Sequence, residues 1–450
     1  MADRIYKIFS PPPLRQLENL PEMLRLSEQE GVREAIFRAN HPYLHWEQLR
    51  YKSWIPESLF PDKGLFWQAL KVMRGLSSTS TPLRDKEGHY FRMNVKDYAE
   101  FLHTIDKEMA GNFMGVTGVS ESDKKQFVTR SIIEESIASS QLEGANTSRA
   151  VAKKMLLEGR KPQTHGEQMI VNNHQAMLRI ERELCKEPLS LELLCELHRM
   201  ITDKTLEEGS QGKLRETFDK NGQRLKVIKP DDGKVAYIVP DKEFVEAELP
   251  RLIHFANTNE GEFIHPLIKA IMLHFWIGLL HPFEDGNGRL ARILFYWYML
   301  KNEYWAFAYL SLSEKIKKSP AQYMMAYIYS EQDDNDLTYF IDYNIRQLKL
   351  ARTEFQSYIQ KKVEEKRAIN FTWQEELHFN ERQIRLLQYL HQHRSANTNI
   401  IAHQKLYAVK KNTAIADLKQ LCESGFLVKK KRGRNVHYYP TEKVGEIFKS

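Results

Sequence analysis

Two strongly apolar helical runs, Ile268 to Leu280 and about Arg289 to Leu300, are separated by a short glycine-rich stretch. The junction reads His281-Pro282-Phe283-Glu284-Asp285-Gly286-Asn287-Gly288-Arg289-Leu290-Ala291-Arg292. The first run delivers the chain to His281, and Pro282 forbids simple continuation of that helix. Phe283 supplies an apolar anchor that pins the loop to the core. Gly286-Asn287-Gly288 permits unusual backbone angles and close backbone approach. Arg289 opens the second helix, and Arg292 lies one turn further along the same face. A mainly α fold built around this helix–loop–helix is expected.

The loop carries a coherent set of chemical groups. A glycine-rich turn that runs into a helix N-terminus is an anion site, because free N–H groups and the helix dipole converge there. Arg289 and Arg292 add planar donors for phosphate oxygens. Asp285, four residues before the first arginine, offers a hard oxygen for Mg²⁺ between phosphates. His281 has a side chain suited to taking a proton near neutral pH. An EF-hand does not fit, since the alternating oxygen ligands and terminal glutamate are missing. The stretch also lacks the Gly-Lys-Ser/Thr of a P-loop. The set suits attack of a hydroxyl on a nucleoside triphosphate.

The string resembles the signature of the Fic family, His-Pro-Phe-x-Asp/Glu-Gly-Asn-Gly-Arg-x-x-Arg, and matches it at every defined position. Leu197-His198 ahead of Gly212-Lys213-Leu214-Arg215 resembles the approach to that family's flap, and Ser313 to Leu337 resembles its later helices. In all, about residues 125 to 350 look like this family. The resemblance implies a helical domain with a β-hairpin flap that transfers AMP from ATP to Tyr, Thr or Ser of a target protein. By that resemblance His281 is the base and Asp285 the Mg²⁺ ligand. Asn287, Gly288 and Arg289, with Gly286, form the anion hole for the α- and β-phosphates. Arg292 holds the γ-phosphate. Short β-prone runs at Lys226-Val227-Ile228 and Val235 to Val239 flank the turn residues 229–234 and supply the hairpin. It would pair with the target backbone as an added strand. Tyr323 is a candidate for adenine stacking, with core packing as its other reading.

A second resemblance lies upstream. From Asp123 to Leu142 the apolar spacing of Phe127, Ile132, Ile133 and Ile137 is helical, and Gly144 stops it. The end, Ser139-Ser140-Gln141-Leu142-Glu143-Gly144, resembles the Ser/Thr-x-x-x-Glu-Gly/Asn pattern of self-inhibiting Fic proteins, at the N-terminal position. It implies that Glu143 pairs bidentately with Arg292 and occupies the donors meant for the γ-phosphate.

Residues 1–122 read as an irregular, then helical region, with Pro11-Pro12-Pro13 extended and helical spacing from Pro21 to Arg38 and Phe66 to Leu76. Trp46 and Trp54 suit the core of a small helical cap. The Fic-type domain is expected over 123–365, with the inhibitory helix at 123–144. A polar stretch, 366–380, reads as a linker. Three helices follow, Glu381 to His393, Ile400 to Tyr407 and Asn412 to Ser424, then two β-prone arms around a basic turn. That order over 381–450 is the layout of a winged helix-turn-helix. Ala414, Ile415 and Leu418 are expected on the inner face of its third helix. From Glu381 to Ser450 there are fourteen Lys/Arg against five Asp/Glu, more than the whole net charge of +7. This surplus points to DNA as a partner through 410–434, although such domains also dock proteins.

No apolar run reaches membrane-spanning length, and the start carries no signal-peptide pattern. Cys185, Cys195 and Cys422 are too scattered for a disulfide framework or zinc site, and buried thiols in a reducing cytoplasm are expected. The leading reading is an autoinhibited protein adenylyltransferase that uses ATP and Mg²⁺ and also modifies itself. The same loop could instead move UMP or phosphocholine, or remove AMP. From another class, the chain could be a DNA-binding regulator with the Fic domain as its nucleotide sensor. Homo-oligomerisation is left open.

Overall fold

The computed structural model describes residues 7–12, 25, 28–57, 60, 62–111, 121–219, 222–228, 233–377, 379–393, 396–432 and 435–447. The N-terminal part contains α1 (Glu30–Asn40), α2 (Trp46–Leu49) and α3 (Lys63–Ser77), then a hairpin of β1 (Thr79–Arg84) and β2 (Tyr90–Met93), then α4 (Ala99–Ile105). The central part runs through α5 (Glu121–Leu142), α6 (Arg149–Glu158), α7 (His165–Arg182) and α8 (Leu191–Thr202). A second hairpin, β3 (Lys226–Ile228) and β4 (Val235–Ile238), precedes α9 (Lys242–Asn257), α10 (Pro266–Leu280) and α11 (Asn287–Lys301). The helices α12 (Leu312–Lys318), α13 (Pro320–Gln332) and α14 (Thr338–Leu377) follow. The C-terminal part holds α15 (Glu381–Gln392), α16 (Ile400–Tyr407), α17 (Lys411–Glu423), β5 (Leu427–Arg432), β6 (Asn435–Pro440) and α18 (Glu442–Ile447).

The centre of the molecule is the antiparallel pair α10 and α11. A helix that is apolar all round must be buried, and nearly every residue of both is. Pro266 sits in the first turn of α10, where its missing N–H costs nothing, and His265 caps the helix by accepting from Leu267 N–H. Phe275 stacks on Tyr327 and meets Phe91 and Phe340 edge-on or tilted, so the N-terminal hairpin, α13 and α14 share one core with α10. On the other side, α5 packs between α7 and α12 and touches α11. The β3–β4 hairpin is antiparallel, with Val227 opposite Tyr237. Tyr237 donates its hydroxyl to Leu279 O at 2.9 Å, which fixes the hairpin over the C-terminal end of α10.

The N-terminal helices form their own apolar cluster, in which Trp46 packs with Trp67 and Trp54 lies against its edge. The hairpin β1–β2 was not expected there. Its strands are short, and β1 is Ser/Thr-rich and interrupted by Pro82, so the alternation is weak. The helix expected from Pro21 is observed at Glu30–Asn40. Pro21 and Pro13, the hairpin turn residues 229–232 and the tip 433–434 of the basic arm lie outside the described residues. The segment 366–380, read as a linker, is helical through Leu377, because α14 continues without a break. Polarity alone did not distinguish a helix from a connection.

In the C-terminal part, three helices are followed by the β5–β6 hairpin, and Thr398 bridges to Tyr438 as a short third strand. Asp417 holds the three helices together. It accepts from Arg382 through both oxygens (2.8 and 2.9 Å) and from Asn380 (2.7 Å), and bonds His403 Nε2 (3.1 Å). Ile415, expected inside, is 37% exposed. Ala414 and Leu418 are buried as expected, and Asp417 and Leu421 complete the buried face of α17 in place of Ile415. The three cysteines are free and only half-buried. Among the described residues no helix is long and apolar enough to cross a membrane.

Candidate active site

The loop between α10 and α11 is built by local constraints. His281 ends α10 in the left-handed region (φ 46°), which is costly for a residue with a Cβ. Pro282 and Phe283 then turn the chain inward, and Phe283 is fully buried. Asn287 staples the loop shut. Its Oδ1 accepts from Phe283 N–H at 3.0 Å, and its Nδ2 donates to Phe283 O at 2.8 Å. Gly286 adopts φ 83° and starts α11. The first helical bond of α11 is Leu290 N–H to Gly286 O, so the N–H groups of Asn287, Gly288 and Arg289 precede it. They form the positive end of the helix dipole. Because the Asn287 side chain is consumed by the staple, this residue offers an anion only its backbone N–H.

The two arginines play different parts. Arg289 is fully buried and donates Nη1 to Ile201 O at 2.7 Å, tying α11 to the end of α8. Its Nη2 lies 3.5 Å from Asp285 Oδ2. Arg292, 2% exposed, faces the end of α5. Its Nε donates to Ser139 Oγ (2.8 Å), and its Nη2 donates to Ser139 O (2.9 Å) and Glu143 Oε1 (2.8 Å). The pairing with Glu143 is therefore through one oxygen and not bidentate, and Ser139 occupies the Nε–Nη2 edge of the guanidinium. A Cβ on Gly288 would collide with the Glu143 carboxylate, so that carboxylate lies directly over the mouth of the cradle. Gly144 (φ 89°) releases the chain from α5 immediately afterwards.

His281 is neutral at physiological pH. Burial and the nearby Arg215 push its pKa down to about 4, against the opposing pull of Glu143 and Asp285. The neighbouring Gly278 carbonyl also opposes that lowering, and a neutral imidazole keeps one ring nitrogen as an acceptor. Asp285 is half exposed. Among the described residues no cluster of three or more metal-ligating side chains exists. One exposed carboxylate beside a phosphate cradle still fits Mg²⁺, which keeps several waters and takes its other ligands from substrate phosphates. Tyr323 lies beside Arg292, bonded to His274 Nε2 at 2.7 Å, and packs against the core. Its hydroxyl belongs to the phosphate side of the site.

Two functional neighbours escaped the motif. His198 stacks flat on Phe283 (3.8 Å between centroids, 8° between planes). Its Nδ1 accepts from Gly212 N–H at 2.8 Å, so its Nε2 carries the proton and donates to Asp285 O at 2.8 Å. Glu135, two turns before Glu143 on α5, accepts from Ser313 N–H (2.9 Å) and from the hydroxyls of Ser311, Ser313 and Tyr296. Nothing in local spacing marks either residue, because their partners are distant in sequence.

Residues 188–299, from the start of α8 to the end of α11, match the Fic/DOC family. The chain is 26% identical over 151 residues to the protein adenylyltransferase Fic of Drosophila grimshawi, which is 33% of this chain and 28% of that protein. It is 24% identical over 201 residues to the protein of the same name from Culex quinquefasciatus, 44% of this chain and 35% of that one. The matches thus span about a third of those relatives' length. Among solved structures, a Fic family protein from Desulfovibrio desulfuricans aligns over 77% of this chain and 95% of its own, at 16% identity and a TM-score of 0.46.

Within the matched segment, Asn287→Ala should cost about 1–3 kcal/mol, because Phe283 N–H and C=O would be left buried without partners. Chemical denaturation checks this. An unchanged midpoint would mean that the loop is held by other contacts.

Proposed function

We propose that this chain is an autoinhibited protein adenylyltransferase that moves AMP from ATP to a Tyr, Thr or Ser hydroxyl of a protein target, and of itself. The observation that carries the reading is the junction itself: a neutral His281 at the mouth of a helix N-terminal phosphate cradle, with Glu143 lying across it. The relatives named as protein adenylyltransferases support the same reaction class.

On this reading the backbone N–H groups of Asn287, Gly288 and Arg289, together with Gly286, bind the α- and β-phosphates of ATP. Arg292 binds the γ-phosphate once Glu143 has withdrawn. Asp285 holds Mg²⁺, which neutralises phosphate charge when bound. The free ring nitrogen of His281 takes the proton of the target hydroxyl as its oxygen bonds to the α-phosphorus. The bond from that phosphorus to the bridging oxygen breaks, and pyrophosphate leaves. The β3–β4 hairpin pairs with no third strand among the described residues, and it receives the target backbone by strand addition.

Glu143 inhibits by competing for Arg292 and by placing negative charge where phosphate must sit. Glu143→Gly should raise AMP transfer and self-modification by about 10- to 100-fold, the equivalent of one charged hydrogen bond. Labelled ATP, UTP and CDP-choline compared on this variant, with mass spectrometry of the product, identify the group moved. Equal rates for native and variant protein, both folded, would sink the inhibitory role. His281→Ala should abolish transfer while ATP binding persists, and retained transfer would refute the base assignment.

The C-terminal part reads as a winged helix-turn-helix, with α17 presented to the major groove and the β5–β6 hairpin as the wing. Lys411, Lys419, Lys429, Lys430 and Lys431 are all exposed on these elements and would reach phosphates. This favours a second reading, a DNA-binding regulator in which the Fic domain senses nucleotide. A mobility shift with duplex DNA that weakens with salt and depends on ATP is its expected signature, and no shift at low salt excludes it.

A further inference from the structure

Arg215 is 5% exposed and carries a positive charge into the protein, yet no described carboxylate lies within ion-pairing distance of it. Burying an unpaired charge is expensive, so what surrounds it is informative. Its guanidinium donates to four backbone carbonyls. Nε reaches His281 O at 2.5 Å, Nη2 reaches Pro240 O at 2.8 Å and Leu280 O at 3.3 Å, and Nη1 reaches Glu216 O at 3.2 Å. The backbone N–H of the same residue donates to Pro282 O at 3.0 Å. Three successive carbonyls, those of Leu280, His281 and Pro282, are thus gripped by one residue.

The position of Arg215 is itself fixed by the preceding turn. Gly212 (φ 67°) has no room for a Cβ against Arg199 and Cys195 O, and its N–H is held by His198. Arg215 and Pro240 stand at the two ends of the hairpin segment, so the guanidinium joins both ends to the histidine loop. The carbonyl it holds most closely belongs to His281, whose left-handed backbone is strained and needs an external constraint.

We infer that Arg215 is the positioning residue that transmits the placement of the hairpin, and of any strand bound to it, to the imidazole of His281. This rests on the transferase reading above. The fork geometry is the essential property: a planar guanidinium directs donors to several carbonyls at once, whereas a lysine ammonium directs three donors from a single point. The charge has a separate effect. His281 is faced by Arg215, Glu143 and Asp285 and by the Gly278 carbonyl, and Arg215 is the cation that favours its neutral form.

The test uses full-length Glu143→Gly protein as parent, with Arg215→Lys and Arg215→Gln added. Circular dichroism and ATP affinity should match the parent in both. The kcat should fall about 100-fold in both, the penalty of a misplaced reacting group. In Arg215→Gln the acid limb of the pH–rate profile should also move to higher pH, because the cation that disfavours the imidazolium is gone. In Arg215→Lys that limb should stay. Full kcat in Arg215→Lys, or a loss confined to ATP affinity, overturns the proposal. If the parent itself transfers nothing, the transferase reading fails separately. The His281 ring resonance, identified with His281→Ala, then decides: an unshifted signal and titration in Arg215→Gln would overturn the role of Arg215.

Discussion

Arg292 is a buried cation in the middle of a helical protein, and the arrangement around it follows from the need to give that charge partners. An isolated guanidinium could not be kept in such a place. Helix α5 supplies the partners: a hydroxyl and a carbonyl from Ser139 and a carboxylate from Glu143. Arg292 in turn sits where it does because α11 is fixed against α10 by packing on all sides and against α8 by Arg289. The loop that joins α10 to α11 has little freedom left. It is pinned from within by Asn287 and Phe283, and from outside by His198 and Arg215. The neutral state of His281 then follows from burial and from the cation behind it.

Much of this was legible from residues alone, and the reason is chemical density. Between His281 and Arg292 the base, the exposed carboxylate, the glycine turn and the arginines lie in continuous sequence, so their spacing is their geometry. The helix ending at Glu143 was legible because Gly144 marks its stop. What was not legible depends on contacts between distant segments. His198 and Asp285 are 87 positions apart, and Ser139 and Arg292 are 153 apart. Ser139 takes one edge of the guanidinium, and no reading of local spacing shows that Glu143 is left with a single bond. The same limit explains α14 and α17. Polar residues at 366–377 are compatible with a helix as well as a linker, and Ile415 stands at the margin of the buried face of α17, where spacing alone does not place it in or out.

The grip on α5 is divided along its length. Glu135, Ser139 and Glu143 follow at four-residue intervals and so share one face of the helix. Glu135 holds the start of α12, and Ser139 holds Arg292. Behind them, Ser140 donates to Met169 O and Ser136 O accepts from Asn173, both on α7. The carboxylate that lies across the cradle is the last of these contacts and the one nearest the helix end. It can therefore leave Arg292 without unseating the helix, because the earlier turns remain anchored. On the proposed reading, inhibition would be a local side-chain event that leaves α5 folded.

The C-terminal part also packs against this helix and the one that follows it. Helix α16 rests on α5 and α6, and Lys405 donates to Leu156 O at 2.9 Å, near the end of α6. The segment between α5 and α6 begins at Glu143 itself. The N–H groups of the cradle are carried by α11, which the core fixes, whereas the Glu143 carboxylate follows a helix that the C-terminal part packs against. On the proposed reading, that asymmetry would let Glu143 move without disturbing His281 or the helix N-terminus that would carry the chemistry.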